Sequence, residues 1–295
     1  RKFCAERGFT LKETDHQKLL ECGHAAVGKG AFDYVVFMES LEAETAERAA
    51  VLLREAFACL HPSGVLLVTA NNRYAIRHFC GEKTPYEQEL FEELEGQTGK
   101  DGRRCYGLGE LEALFTRAGI GSVSGFAVFP SLRNAKKIYS FSCQISGSFQ
   151  CYPWYEDNSL VFAHEEKMYP GLVTSGLFYP MANGFFFEAR KDGRDSAVRF
   201  ATVSSQRPAD RQSITVARTD GTVRKYPVYE NGVANLRQLS RNHAILKNRG
   251  MHLVPGKLKD DTYEMEYVQS PGLLEQIRTV FYQGKEETQA LFDAY

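Results

Sequence analysis

Apolar and polar residues follow helical and extended periods along the first 80 residues. The near-continuous apolar run over Phe32–Glu39 predicts a strand buried on both faces of a sheet. Apolar positions three and four residues apart over 43–61 predict an amphipathic helix, and the run Gly64–Ala70 predicts the next buried strand. A short strand ending at Asp15 and a helix over 16–30 come first. Strands that alternate with helices at this spacing predict βαβ units around a parallel sheet.

Three further segments complete the first half of the chain. The pattern over 107–120 predicts an amphipathic helix that ends at Gly119, and residues 121–130 predict a strand. We expect the acidic segment 84–102 to be helical, with its carboxylates on a solvated face.

After residue 183 the pattern changes to short strands separated by turn residues such as "KDGRD" and "TDG". A helix over 230–250 and a strand over 261–269 follow. The predicted fold class is therefore α/β: a partial Rossmann-like sheet followed by an α+β domain. The predicted domains are a Rossmann-like domain over 1–145, an aromatic connector over 146–182 and an α+β domain over 183–295.

Composition excludes several classes of function. The 295 residues include 36 basic and 37 acidic ones, a net charge of −1, so nothing predicts a nucleic-acid partner. The seven cysteines form no C-x-x-C pair, which indicates a reducing compartment and no zinc site. No apolar run approaches the roughly 18 residues of a transmembrane segment.

A family resemblance covers Phe3–Ser142. The stretches "FDYVVFMESLE", "LLREAFACLHPSGVLLVTANNRYAIRHFCG" and "LGELEALFTRAGI" resemble the later half of a class I S-adenosylmethionine-dependent methyltransferase. More narrowly, they are similar to methyltransferase-like proteins of bacterial surface-polysaccharide gene sets. The glycine-rich loop and first strands of that family have no counterpart here. The resemblance therefore implies an N-terminally truncated domain.

The resemblance implies a set of site residues at strand ends. Asp15 would contact the adenine of S-adenosylmethionine, and Met38, Glu39 and Ser40 would face its methionine portion. These positions suit the chemistry, because a strand end places polar groups at the crevice where such folds bind ligands. Glu39 is the best-placed candidate for a general base. The acceptor side would be formed by Asn71, Asn72 and Arg73.

Each of these residues also has a purely structural interpretation. Asp15 could be a helix N-cap, Glu39 an exposed strand terminus and Arg73 a surface loop residue.

The second half is similar in order to the small lobe of a protein-kinase-like fold. That resemblance would place Lys225 near the phosphates of a nucleotide, and Glu266 and Tyr267 in a hinge that binds adenine through its backbone. No G-x-G-x-x-G loop accompanies them, and the helix that follows Lys225 has no acidic residue beyond Glu230 to pair with the lysine. The alternative is that Lys225 is a solvated strand lysine.

Together with the resemblance, these features predict that the intact parent of this chain transfers a methyl group from S-adenosylmethionine to a hydroxyl of a glycan or sugar precursor in the cytoplasm. Two alternatives stay open. One is a non-catalytic, methyltransferase-like scaffold that docks glycan-assembly enzymes. The other is a nucleotide-binding, kinase-like module.

Overall fold

A computed structural model of the chain describes residues 10, 12–13, 16–24, 28–99, 102–147, 149–155, 160–204, 208, 211–269, 276–277, 280–281 and 283–293. The chain divides into two compact units. The first unit comprises Arg1–Asn134, Trp154–Ala163 and Tyr179–Ser196. The second unit comprises Ala135–Pro153, His164–Phe178 and Ala197–Tyr295.

Helices and strands alternate at first and then give way to a run of strands. The helices are α1 His16–Cys22, α2 Ala46–Ala58, α3 Ile76–Phe79, α4 Leu108–Arg117, α5 Glu165–Thr174, α6 Asn231–Asn248 and α7 Lys285–Asp293. The strands are β1 Phe32–Met38, β2 Leu60–Asn71, β3 Ser124–Phe129, β4 Lys137–Ser140, β5 Gly184–Arg190, β6 Val198–Val203, β7 Ser213–Arg218, β8 Thr222–Pro227, β9 Gly256–Lys259 and β10 Thr262–Glu266.

The first unit has a mixed sheet in the order β1-β2-β5-β3. β1 and β2 are parallel and are joined through α2, which is the predicted βαβ unit. β5 is antiparallel to β2 on one side and to β3 on the other. The α/β fold class is confirmed by this arrangement. Because β1 and β2 are parallel, both of their carboxyl ends lie at the same edge of the sheet, and Met38 pairs with Thr69 there.

Apolar side chains from α2, α4, β2 and β5 form the core of the first unit. The side chains of Leu52 and Leu53 on α2 and of Leu66 on β2 are fully buried. The ring of Phe115 on α4 lies 5.1 Å from that of Phe187 on β5. Burial of each large apolar side chain contributes about 1.5–3 kcal/mol to the stability of the fold. This core therefore holds β1 and β2, and the residues that follow their carboxyl ends, in fixed positions.

The structure corrects the expected burial of β1. Tyr34, Val36 and Met38 share one face of the strand and are more than half exposed. Within the described residues β1 pairs with a neighbouring strand on one side only. It is therefore not buried on both faces.

The acidic segment also differs from its prediction. Residues 84–99 form turns rather than a helix, and the carboxylate of Glu93 is buried rather than solvated. Phe91 has a positive φ of 73°, which interrupts helical geometry. Glu87 accepts hydrogen bonds from the backbone N–H groups of Thr84 at 2.7 Å and Glu93 at 2.8 Å. These backbone donors are thereby satisfied without a helix.

The division into units differs from the predicted domains. β5 was expected to open the second domain at residue 183, but its pairing with β2 and β3 places it in the first unit. The connector was expected to be irregular, but it contains α5. Strand pairing at long sequence separation decides the position of β5, and local patterns do not reveal it.

The second unit has an antiparallel sheet in which β6, β7, β8, β10 and β9 are neighbours in that order, with β4 pairing to β6. α6 lies between β8 and β9 in the chain and packs on β8, β9 and β10. Its Leu236 and the strand residue Tyr263 are both buried. Among the helices that the structure describes, none combines the length and apolar character needed to cross a bilayer.

Candidate functional site

The carboxyl ends of β1 and β2 carry a compact group of polar side chains. Glu39 follows β1 directly and has a positive φ of 54°, an uncommon conformation for a residue with a side chain. Its backbone N–H lies 3.1 Å from the carbonyl oxygen and 3.2 Å from the hydroxyl of Thr69 on β2. These hydrogen bonds hold the turn at the end of β1 against β2. They thereby fix the backbone position from which the Glu39 side chain extends.

Two glutamates converge on one asparagine at the end of β2. Asn71 Nδ2 donates to Glu39 Oε2 at 3.0 Å and to Glu42 Oε2 at 3.4 Å. The backbone N–H of Asn71 donates to Glu42 Oε1 at 2.5 Å. The Tyr86 hydroxyl also donates to Glu42 Oε2. This cluster of four residues, here called the Asn71 cluster, links β1, β2 and the segment after α3.

Burial dominates the electrostatics of the Asn71 cluster. The side chain of Glu42 is fully buried, and this burial raises the pKa of its carboxyl to about 7 despite hydrogen bonds from Tyr86 and Asn71 that lower it. Burial, followed by the charge of Glu42, also raises the pKa of the Tyr86 phenol well above its usual value. The phenol is therefore a stable hydrogen-bond donor at neutral pH.

A cavity of about 820 Å³, the β1 cavity, opens at the end of β1. Met38, Glu39 and Ser40 line one side of it, and Met38 is 73% exposed. The guanidinium groups of Arg103 and Arg133 contribute positive charge. The remaining lining residues are His16, Ala43, Pro85, Tyr86, Glu87 and Gln88.

A second cavity of about 320 Å³, the β2 cavity, lies at the end of β2. Asn71 lines it together with Lys83, Thr84 and the partly exposed ring of Trp154. Pro85, Glu87 and Arg133 line both cavities. The two cavities therefore adjoin, with the hydrogen bond between Asn71 and Glu39 at their boundary.

The wall of the β2 cavity also contains a buried ion pair and a buried histidine. Arg77 pairs with Glu82, and its guanidinium also donates to the carbonyl of Trp154 at 3.4 Å. Burial lowers the pKa of His78 to about 4, so its ring is neutral at pH 7. Its Nδ1 donates to the carbonyl of Glu82 at 2.9 Å. These contacts give Arg77 and His78 structural roles in holding the cavity wall.

The structure brings four of the predicted site residues together and separates two. Met38, Glu39 and Ser40 line the β1 cavity, and Asn71 lines the β2 cavity. Asp15 lies outside the described residues.

Asn72 and Arg73 are corrections to the predicted acceptor side. The Asn72 side chain is fully buried, and its Nδ2 donates to the carbonyls of Pro180 at 2.8 Å and Ala182 at 2.7 Å. Arg73 pairs with Glu110 at 2.8 Å and lines neither cavity. Successive residues at the end of a strand point to opposite sides, so only the first of the two asparagines reaches the β2 cavity.

The second-unit candidates are partly engaged in backbone pairing. The N–H of Glu266 donates to the carbonyl of Pro255 at 3.3 Å, and that of Tyr267 donates to Gly221 at 2.8 Å. Lys225 pairs with Tyr263 in the ladder between β8 and β10. The backbone N–H groups of both predicted hinge residues are thus used within the unit.

Glu42 and Tyr86 were missed by the sequence-based prediction. Glu42 stands three residues after Glu39, a spacing that places both side chains on one side of a helical turn, and this was the available signal. Tyr86 lies in the segment expected to be a solvated helix. Trp154, in the predicted aromatic connector, is 45% exposed and lines the β2 cavity.

No protein-family model and no curated protein sequence matches the chain. Solved structures do match it. One is a S-adenosylmethionine-dependent methyltransferase of Thermotoga maritima, described as a possible histamine N-methyltransferase, with 17% identity, a TM-score of 0.32 and coverage of 64% of this chain and 68% of that one. Another is a S-adenosylmethionine-dependent methyltransferase of Archaeoglobus fulgidus, with 13% identity, a TM-score of 0.34 and coverage of 64% and 70%.

A further match is phospholethanolamine N-methyltransferase 2 of Haemonchus contortus, in complex with phosphomonomethylethanolamine and S-adenosylhomocysteine. It is 15% identical with a TM-score of 0.28, and the match covers 55% of this chain and 34% of that one. At such identities and TM-scores, these matches carry no argument about the activity of this chain.

Proposed function

We propose that the first unit binds S-adenosylmethionine in the β1 cavity and methylates a hydroxyl of a glycan or sugar precursor in the β2 cavity. The observation that carries this proposal is the junction of the two cavities at the carboxyl ends of parallel strands, where α/β folds bind ligands. Asn71 and Glu39, one from each cavity, are hydrogen-bonded at that junction.

The residues of the β1 cavity fit the chemical groups of the cofactor. A volume of about 820 Å³ lies in the range of small-molecule sites. The Glu39 carboxylate suits a sulfonium or ammonium group, and Arg103 and Arg133 suit a carboxylate. Met38 adds an exposed apolar surface. The methionine portion of the cofactor carries the sulfonium, the ammonium and the carboxylate that these side chains suit.

When bound, S-adenosylmethionine supplies an electrophilic methyl group. The protein then needs to align the acceptor hydroxyl and remove its proton. Oε2 of Glu39 already accepts a hydrogen bond from Asn71. We therefore assign Oε1 of the same carboxylate as the atom that takes the proton from the acceptor hydroxyl. Asn71 in turn fixes the orientation of that carboxylate, since its own position is set by Glu42.

The lining of the β2 cavity supports a sugar-like acceptor. The exposed ring of Trp154 offers an apolar face against which a sugar ring can stack. Polar groups of Asn71, Lys83 and Thr84 surround the same space and can bind hydroxyls. The bacterial surface-polysaccharide context and the cytoplasmic location are predictions that depend on the sequence resemblance.

The direct test is transfer of a radiolabelled methyl group from S-adenosylmethionine to a panel of monosaccharides and nucleotide sugars. We expect transfer by the wild type, and a fall of about 100-fold in kcat for Glu39→Gln, the low end of a general-base effect. Trp154→Ala should raise KM for the acceptor. The matched control is Tyr152→Ala, which removes an exposed aromatic ring that lines neither cavity. A wild type that binds no cofactor would instead favour the scaffold hypothesis.

Nucleotide binding by the second unit is a second candidate function. It is supported by the observed order β6-β7-β8-β10-β9 with α6 between β8 and β9 in the chain, which agrees with the resemblance to a kinase small lobe. The hydrogen bonds already made by the N–H groups of Glu266 and Tyr267 count against it.

A further inference from the structure

The side-chain amide of Asn71 is held in one orientation by two carboxylates. Its Nδ2 carries two protons and lies 3.0 Å from Glu39 Oε2 and 3.4 Å from Glu42 Oε2. An amide nitrogen has only these two donors, so the pair of glutamates uses both.

Reversal of this amide would be unfavourable. It would place Asn71 Oδ1, a hydrogen-bond acceptor, against two carboxylates that can only accept when ionised. Glu42 stabilises this arrangement further, because its Oε1 accepts a hydrogen bond from the backbone N–H of Asn71 at 2.5 Å. The Tyr86 hydroxyl also donates to Glu42 Oε2 and helps to hold this carboxylate in place.

The orientation determines what Asn71 offers to the β2 cavity. With Nδ2 turned to the carboxylates, Oδ1 points away from them, and no residue that the structure describes donates to it. Asn71 is half-buried and lines the cavity. The hydrogen-bonding capacity left at this position is therefore that of an acceptor.

We propose that Glu42 is a positioning residue that, with Glu39, turns the carbonyl oxygen of Asn71 towards the β2 cavity, so that this cavity selects a ligand group that donates a hydrogen bond, such as a hydroxyl. That such a ligand is a methyl acceptor rests on the function proposed above. The orientation of the amide does not.

The first experiment observes the Asn71 amide by NMR in the full chain labelled with ¹⁵N at the asparagine side chains. Its signal pair is assigned by its loss in Asn71→Ser. We expect Glu42→Gln to displace this pair. The matched control is Glu93→Gln, which changes another buried carboxylate whose oxygens accept from Cys105 N at 3.1 Å. This control should leave the pair in place. If the Asn71 signal pair keeps its position in both variants, or moves equally in both, Glu42 does not have the positioning role.

The second experiment uses only the wild type and so does not depend on the folding of a variant. Glycerol and its trimethyl ether serve as matched probes with and without hydroxyl donors. Glycerol should shift the Asn71 signals, and the ether should not. An equal response to both probes, or a response to neither, would overturn the proposed selectivity. Neither experiment contains S-adenosylmethionine, so a failure of cofactor binding would be a separate result.

Discussion

The two candidate sites of this molecule use their hydrogen-bonding groups in opposite ways. In the first unit, Glu39 and Asn71 bind each other and still present groups to adjoining cavities. In the second unit, the N–H groups of Glu266 and Tyr267 donate to carbonyls of the same unit. A binding site needs polar groups that remain available to a ligand. The order of strands and helices alone therefore does not establish one.

Among the changes that test this difference between the two sites, Asn71→Asp should have the largest effect on stability. The change places a third carboxylate beside Glu39 and Glu42, and like charges at hydrogen-bond distance repel. We expect a loss of about 3 kcal/mol in the free energy of unfolding at pH 8. The loss should be smaller at pH 5, where a carboxyl takes up a proton. Urea unfolding at both pH values measures it, with Asn71→Ala as the uncharged control. Equal losses for Asn71→Asp at the two pH values would contradict the charge argument.

The pH dependence of stability tests the burial of Glu42. Its pKa is raised from 4.5 to about 7 on folding, so the folded state binds more protons than the unfolded state between these values. The free energy of unfolding should therefore fall as pH rises from 4.5 to 7, by up to about 3 kcal/mol. Glu42→Gln should remove this fall, as measured by urea unfolding across the range. A variant with the same pH slope as the wild type would show that Glu42 is not its source.

Tyr86→Phe should have a smaller effect on the same cluster. It removes the hydroxyl that donates to Glu42, at a cost of about 2 kcal/mol when that carboxylate is ionised. The cost should shrink at pH 5, where Glu42 is protonated. Thermal unfolding at pH 8 and pH 5 measures the difference. A pH-independent cost would indicate that only packing of the ring has been lost.

The smallest effect is expected in the second unit. Because the backbone N–H groups of the predicted hinge residues Glu266 and Tyr267 are engaged, ADP with Mg²⁺ should give no binding that depends on Lys225. Isothermal titration of the wild type and Lys225→Ala should give the same result. Binding to the wild type that disappears in the variant would establish the nucleotide site instead and would remove the contrast between the units.

Local patterns were sufficient to predict most secondary structure. The periodicity of α2 and the apolar run of β2 reflect burial, and both elements form as predicted. The position of β5 depended on pairing with β2 and β3 across more than 50 residues, which no local pattern reveals. The prediction of a solvated helix in the acidic segment was wrong for a related reason. Glu87 and Glu93 accept hydrogen bonds from backbone N–H groups instead of facing water.

The site was predicted only as far as strand ends determine it. The residues at the end of β1 and the first residue of the "NN" pair line cavities, and their roles in binding stay predictions. Glu42 could not be found in the same way, because its role depends on tertiary contacts with Asn71 and Tyr86. Asn72 and Arg73 share the sequence neighbourhood of Asn71, yet they bind Ala182 and Glu110 instead of facing a cavity.

We propose that a cofactor binds at the joined ends of β1 and β2, and isothermal titration with S-adenosylhomocysteine measures this binding. We expect saturable binding to the wild type that weakens about tenfold in Glu39→Gln, equivalent to about 1.4 kcal/mol. Lys225→Ala in the second unit should bind as the wild type does. Absence of binding to the wild type, or equal affinity of the wild type and Glu39→Gln, would contradict the proposed cofactor site.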